Sequence, residues 1–140
     1  MHVTGISYTA VLVAAVASFI FGGIWYGIFA RQRMSAANGV ERGPRAGGLT
    51  PMQFVITFIA QLVMAWMLAG ILLHVTRGGI PLTMRNALIS AILIWVGFVM
   101  TSLAASNALQ GTRFSVTLID GGHWLGVLLI QSAVLVAMAT

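Results

Sequence analysis

The chain has 140 residues, 59% of them hydrophobic and only 6% charged. A soluble domain carries roughly 25% charged residues. This chain therefore has too few charges to cover a folded surface in water, and lipid is the solvent it expects. The net charge of +5 comes from seven arginines set against Glu41 and Asp120, with no lysine. The arginines fall between apolar runs and are not interleaved with aromatic residues. They read as charges that orient membrane loops, not as a nucleic-acid surface. With no cysteine in the chain, disulfides, thiolate metal sites and cysteine nucleophiles are excluded.

The first apolar run, residues 8–30, is longer than the ~7–15 residues of a signal-peptide core, and no positive charge precedes it. It is read as a retained first membrane span. Two rows of small residues lie along it at four-residue spacing. One is Ala14, Ser18 and Gly22; the other is Ala15, Phe19, Gly23 and Gly27. Small residues on one face let a neighbouring backbone approach closely. Either a dimer face or packing inside one chain satisfies that pattern.

Residues 31–50 follow, glycine-rich and carrying Arg31, Arg33, Glu41, Arg42 and Arg45. This composition cannot build a core and predicts a mobile loop. A second span is expected over 51–75, opened by Thr50 as cap and Pro51 at the first helical position. Gly78, Gly79 and Pro81 end it. A third span is expected over 84–106, with Thr83 as cap, and a fourth over 115–139, with Ser115 as cap. Each is near the ~20 residues that cross a bilayer core. None alternates in polarity as a barrel strand does, so helices are predicted. The fold expected is an all-α integral membrane protein, four helices in one antiparallel bundle, forming a single domain over 1–140. Trp66 and Trp95 read as lipid-facing or core filler.

The first and third connections share one side and hold five arginines: Arg31, Arg33, Arg42, Arg45 and Arg113. Arg77 and Arg85 lie on the other side. The excess predicts the first side in the cytoplasm and both termini outside it, in a bacterial inner membrane.

Ionisable groups inside spans are rare and usually face a bundle interior or a wet cavity. Asp120 is the only acid in a span, ~7 Å along the axis from Ser115. His123 follows at i+3 on the same face. Arg113, seven residues earlier, either folds back as a counter-ion or reaches to lipid phosphate. Asn107 and Gln110 end the third span, and Trp25 and Tyr26 lie near the end of the first. Asp120, His123, Asn107, Tyr26 and Trp25 therefore share one membrane level. They form either a polar lock between helices or a site for a ligand or protons. Gly122 and Gly126 add a packing row on the fourth span.

No cofactor or metal is expected. His74 and His123 lie at different depths, which argues against one haem between them, and no set of acids or cysteines completes a zinc site. No nucleophile elbow or phosphate-cradling loop is present. Small multidrug exporters have a similar length but rely on a glutamate in the first helix, which this chain lacks.

Three stretches, "YTAVLVAAVASFIFGGIWYGIF", "LIWVGFVMTSLAASNALQGTR" and "LIDGGHWLG", resemble a bacterial family of small membrane proteins, the domain of unknown function 1761. The resemblance runs along most of the chain and rests on Trp25-Tyr26, Asn107 and Asp120 with His123. The chain departs from it after Tyr26, where family members often carry proline, a Phe-Gly-Lys step and a second tryptophan. Gln110 stands where an acid is common. The resemblance implies four helices and no established activity. Together these readings predict a non-enzymatic accessory or packing subunit, in a homo-oligomer or a larger membrane complex within the lipid bilayer. The alternative is a small proton-linked transporter or permease using Asp120 and His123.

Overall fold

The structure, a computed structural model, describes residues 5–37 and 51–139. Its elements are α1 (Tyr8–Ala37), α2 (Pro51–Arg77), α3 (Met84–Ile94), a wide turn (Trp95–Met100), α4 (Thr101–Leu109) and α5 (Phe114–Ala139). The pieces from Met84 to Leu109 run on as one rod, so the described residues hold four helices long and apolar enough to cross a membrane. They form the antiparallel four-helix bundle expected from the sequence. The end joined by the first and third connections is called the basic end below.

Local chemistry sets the turns. At both described helix C-termini that lead into a connection, a glycine takes a left-handed conformation, Gly79 at φ 105° and Gly111 at φ 72°. Each makes the same closure. Ile80 N–H donates to Val75 O and Gly79 N–H to Thr76 O; Thr112 N–H donates to Asn107 O and Gly111 N–H to Ala108 O. These paired bonds satisfy carbonyls that the helix end would otherwise orphan, and a Cβ at either glycine would be strained. Thr83 caps α3, its hydroxyl accepting from Asn86 N–H at 3.1 Å. Two differences from the sequence reading bear on named residues. α1 continues to Ala37, which puts Arg31 and Arg33 on its last turns and not in a loop. α5 begins at Phe114, so Ser115 lies inside the helix and does not cap it. Thr50, Arg42 and Arg45 fall outside the described residues.

The helices do not share contact equally. α1 packs along α5 most extensively; α2 lies on α1 and reaches α5; the third span packs chiefly on α5. The third span is accordingly the least buried, 11% of its most apolar stretch against 39% for the fourth. Lipid tails are as apolar as leucine, so the helices gain little from hydrophobic transfer and must fit closely. Glycines provide that fit on both sides of the α1–α5 contact. A Cβ on Gly126 would run into the Phe21 ring, and one on Gly122 would meet the Trp25 indole at 2.7 Å. From the other side, a Cβ on Gly22 would meet His123 Nε2 at 2.7 Å. Ala14, Ala15 and Ser18 are fully buried in the same seam.

The first of the two rows in α1 thus lies inside the chain's own core. The second divides: Ala15 is buried, whereas Gly23 and Gly27 are exposed with open space where a Cβ would stand. Among the described residues nothing packs on Gly23 or Gly27; they continue the stripe of Phe19, whose ring meets Phe54 and Phe58 of α2.

Overpacking a tight helix contact costs about 1–3 kcal/mol where the neighbour cannot yield. Gly126→Ala pushes against a rigid phenyl ring. Gly121→Ala pushes against Met100 Sδ, 2.7 Å from the added carbon, which a flexible thioether can vacate. Thermal unfolding in detergent should show a clear drop in midpoint for Gly126→Ala and a smaller one for Gly121→Ala.

Candidate functional site

Beyond Ser115, which is exposed, α5 presents its polar residues inward. Thr117, Asp120, His123, Gln131 and Ser132 are all buried along its packed side. In hydrocarbon an unsatisfied polar group costs several kcal/mol, so each is expected to find a partner on another helix. Most do. At the basic end, Asn107 Nδ2 donates to Thr117 Oγ1 at 3.0 Å and ties α4 to α5. One turn deeper, the Tyr26 hydroxyl donates to Asp120 Oδ1 at 2.7 Å and ties α1 to α5. Asp120 is 8% exposed, and His123 is 2% exposed. The His123 ring lies beside Tyr26, with centroids 4.8 Å apart, and is stacked near-parallel to Phe21.

Two indoles brace the backbone on either side of the acid. Trp25 Nε1 donates to Ile119 O at 3.0 Å, and Trp95 Nε1 donates to Gly121 O at 2.8 Å. The first comes from α1 and the second from the third span, so the Asp120 turn is held from both sides. Trp95 opens the wide turn, where hydrogen bonds skip five residues instead of four. Met100, at the far end of that turn, fills the space beside Gly121.

A second polar group stands nearer mid-membrane. Ser18 Oγ donates to Gln61 Oε1 at 2.8 Å, while Gln131 Nε2 donates to Ser18 Oγ and to the Gln61 carbonyl, both at 3.0 Å. This knot joins α1, α2 and α5 at positions that are almost fully buried. Among the described residues, Gln61 Nε2, Gln131 Oε1, Ser132 Oγ and His123 Nδ1 find no hydrogen-bond partner.

Of the five residues expected at one level, Asp120, His123, Tyr26 and Trp25 come together. Asn107 shares their end of the bundle but bonds Thr117 one turn away from Asp120. Gln110, just past the end of α4, bonds Ser106 of that helix and is exposed, as is Arg113. His74 is exposed toward the opposite end, at a different depth from His123, as the sequence implied. Trp66 is exposed, matching its reading as a lipid-facing residue; Trp95 packs against the core, matching its reading as filler, and its indole N–H also braces α5. Gln61, Gln131 and Ser132 were not singled out in the sequence. The available signal was simply an amide or hydroxyl in the middle of an otherwise apolar run.

A bundle of four lipid-embedded helices with its polar side chains turned onto one another defines a small multi-pass membrane protein. The chain belongs to the family described as Protein of unknown function (DUF1761), whose pattern it matches over residues 9–136. No curated protein and no solved structure matches it.

Two conservative changes test the bonds around the Asp120 turn. Tyr26→Phe and Trp95→Phe each keep a ring and lose a donor, so each is expected to cost about 1 kcal/mol. Unfolding midpoints in detergent should fall for both, with helical circular dichroism at low temperature unchanged.

Proposed function

We propose that this protein is a non-catalytic packing subunit of the bacterial inner membrane that assembles with further copies of itself. One observation carries the reading. Gly23 and Gly27, one turn apart on α1, are open to lipid, and Ile20, Ile24 and Ile28 stand exposed beside them. Glycines at four-residue spacing with β-branched neighbours let two membrane helices cross at close range, where backbone and side chains meet directly. Inside the chain Ala14, Ala15, Ser18 and Gly22 are already used. Among the described residues nothing stands within reach of a Cβ on Gly23 or Gly27, and the pair suits a second α1.

The buried polar ties support the non-catalytic part of the reading. Tyr26, Trp25, Trp95 and Asn107 each spend a hydrogen bond on joining helices. A larger membrane complex is the other form of assembly, and the lightly buried third span offers a face for it. In the orientation we propose, Arg31, Arg33, Arg42, Arg45 and Arg113 lie in the cytoplasm, opposite Arg77 and Arg85.

Mild-detergent solubilisation followed by light scattering tests the assembly. The wild-type chain is expected to run as a discrete oligomer. Gly23→Ile with Gly27→Ile should shift it to the monomer mass while leaving the unfolding midpoint of the single bundle intact. A wild-type chain that is monomeric in native-lipid nanodiscs, or an oligomer untouched by the double change, contradicts the reading.

A further inference from the structure

A cavity of about 200 Å³ opens at the end of the bundle opposite Asp120, between the start of α1 and the last turns of α2 and α5. Its most buried lining is Ala10, Leu72 and Leu135, which are 2%, 3% and 7% exposed. Ala69, Leu73 and Leu82 are half-buried around them, and Ser7 and Met138 stand exposed at the rim. Among the described lining residues Ser7 carries the one side-chain hydroxyl, and it accepts from Ala10 N–H at 3.3 Å. An apolar void of this kind stays dry: a cavity of about 150 Å³ lined by Leu, Ile and Phe excludes water and takes up benzene.

Depth and size select the kind of occupant. α2 has 27 residues, ~40 Å at ~1.5 Å per residue, against ~30 Å of hydrocarbon. Its last turn therefore reaches the headgroup layer, while Ala69 and Leu72 stay at hydrocarbon depth. Space left empty there forfeits the dispersion contacts that a lipid tail would make. A helix of a second copy, ~10 Å across, is too wide for the cavity, whereas a stretch of one acyl chain fits. Charge then selects the lipid. Arg77 follows Leu73 by one turn on the same stripe of α2, and Arg85 follows Leu82 within the first turn of α3. Both are exposed, and no acidic side chain among the described residues stands at this end. Arginine stems lie along apolar surface while their forks reach phosphate oxygens at headgroup level.

We propose that this cavity is a lipid site, which takes one acyl chain of an anionic phospholipid from the leaflet around it, with Arg77 and Arg85 holding the phosphate. The chain enters past Ser7 and Met138, whose flexible thioether adapts to the tail. Its first carbons lie over Leu72 and Leu135, so one lipid packs on α1, α2 and α5 together. The site is a property of the single bundle and does not depend on self-assembly.

Native mass spectrometry tests it, on protein released into mild detergent from nanodiscs of equal phosphatidylglycerol and phosphatidylcholine. The wild-type chain should retain one phosphatidylglycerol per bundle, several-fold in preference to phosphatidylcholine. Ala69→Phe fills the cavity and should abolish retention of either lipid. Arg77→Gln with Arg85→Gln should remove the preference, leaving phosphatidylglycerol held no better than phosphatidylcholine. A wild-type chain that retains no lipid, that holds both lipids alike, or that carries a fatty acid or other apolar molecule instead overturns the proposal. So does phosphatidylglycerol retention that survives Ala69→Phe. Helical circular dichroism shows whether Ala69→Phe folds, and Leu73→Phe, from the same helix, fills the cavity for a second reading if it does not.

Discussion

Everything else in this bundle depends on how closely α1 and α5 can approach. Water does not drive these helices together, because the lipid around them is as apolar as their own side chains. Dispersion between well-fitted surfaces has to serve instead, and it falls off steeply with any gap. The two helices solve this with complementary notches. Phe21 and Trp25 on α1 press onto Gly126 and Gly122 of α5, and His123 on α5 presses onto Gly22 of α1. Each large ring faces a missing Cβ, so rings and backbones alternate along the seam.

That close approach is what lets short polar side chains bridge the helices. α5 is the hub. It is tied to α4 through Thr117, to α1 through Asp120 and to α1 and α2 through Gln131. Its backbone is braced by indoles from α1 and from the third span. Interhelical hydrogen bonds in membranes are worth modest amounts singly, about 0.6 kcal/mol on average. Their larger effect is on register. A helix that slid by one turn would leave several of these groups buried without partners, at a cost well above the bond itself. The bonds therefore specify one packing among the many that apolar helices could adopt.

Much of this was legible from the residues. Four spans follow from apolar length alone, and antiparallel neighbours follow from short connections. Asp120 and His123 stood out because charge is rare in a span, and depth arithmetic put Tyr26 and Trp25 at their level. Three features were not legible, for physical reasons. Ser115 was expected to cap a helix, but the hydrogen-bonding pattern that starts a helix depends on where the preceding chain leads, not on the hydroxyl. The wide turn at Trp95–Met100 has no mark of its own in the sequence, because its benefit lies in the partner helix: Trp95 reaches Gly121 O and Met100 fills the space at Gly121. The two small-residue rows of α1 look alike as text, yet Gly22 is buried and Gly23 is exposed. One residue turns a helix by about 100°, and only a partner helix tells the two faces apart.

The register of α1 on α5 can be measured without first removing native cysteines, since the chain has none. Paired cysteines at Phe21 and Gly126, and at Trp25 and Gly122, replace a ring and the glycine it covers. Oxidation in native membranes should join each pair within one chain. A pair shifted by one turn, Phe21→Cys with Gly122→Cys, should stay reduced under the same conditions. Cross-linking of the shifted pair as readily as the matched pairs, or of none of them, would contradict the interlocked α1–α5 seam on which this account rests.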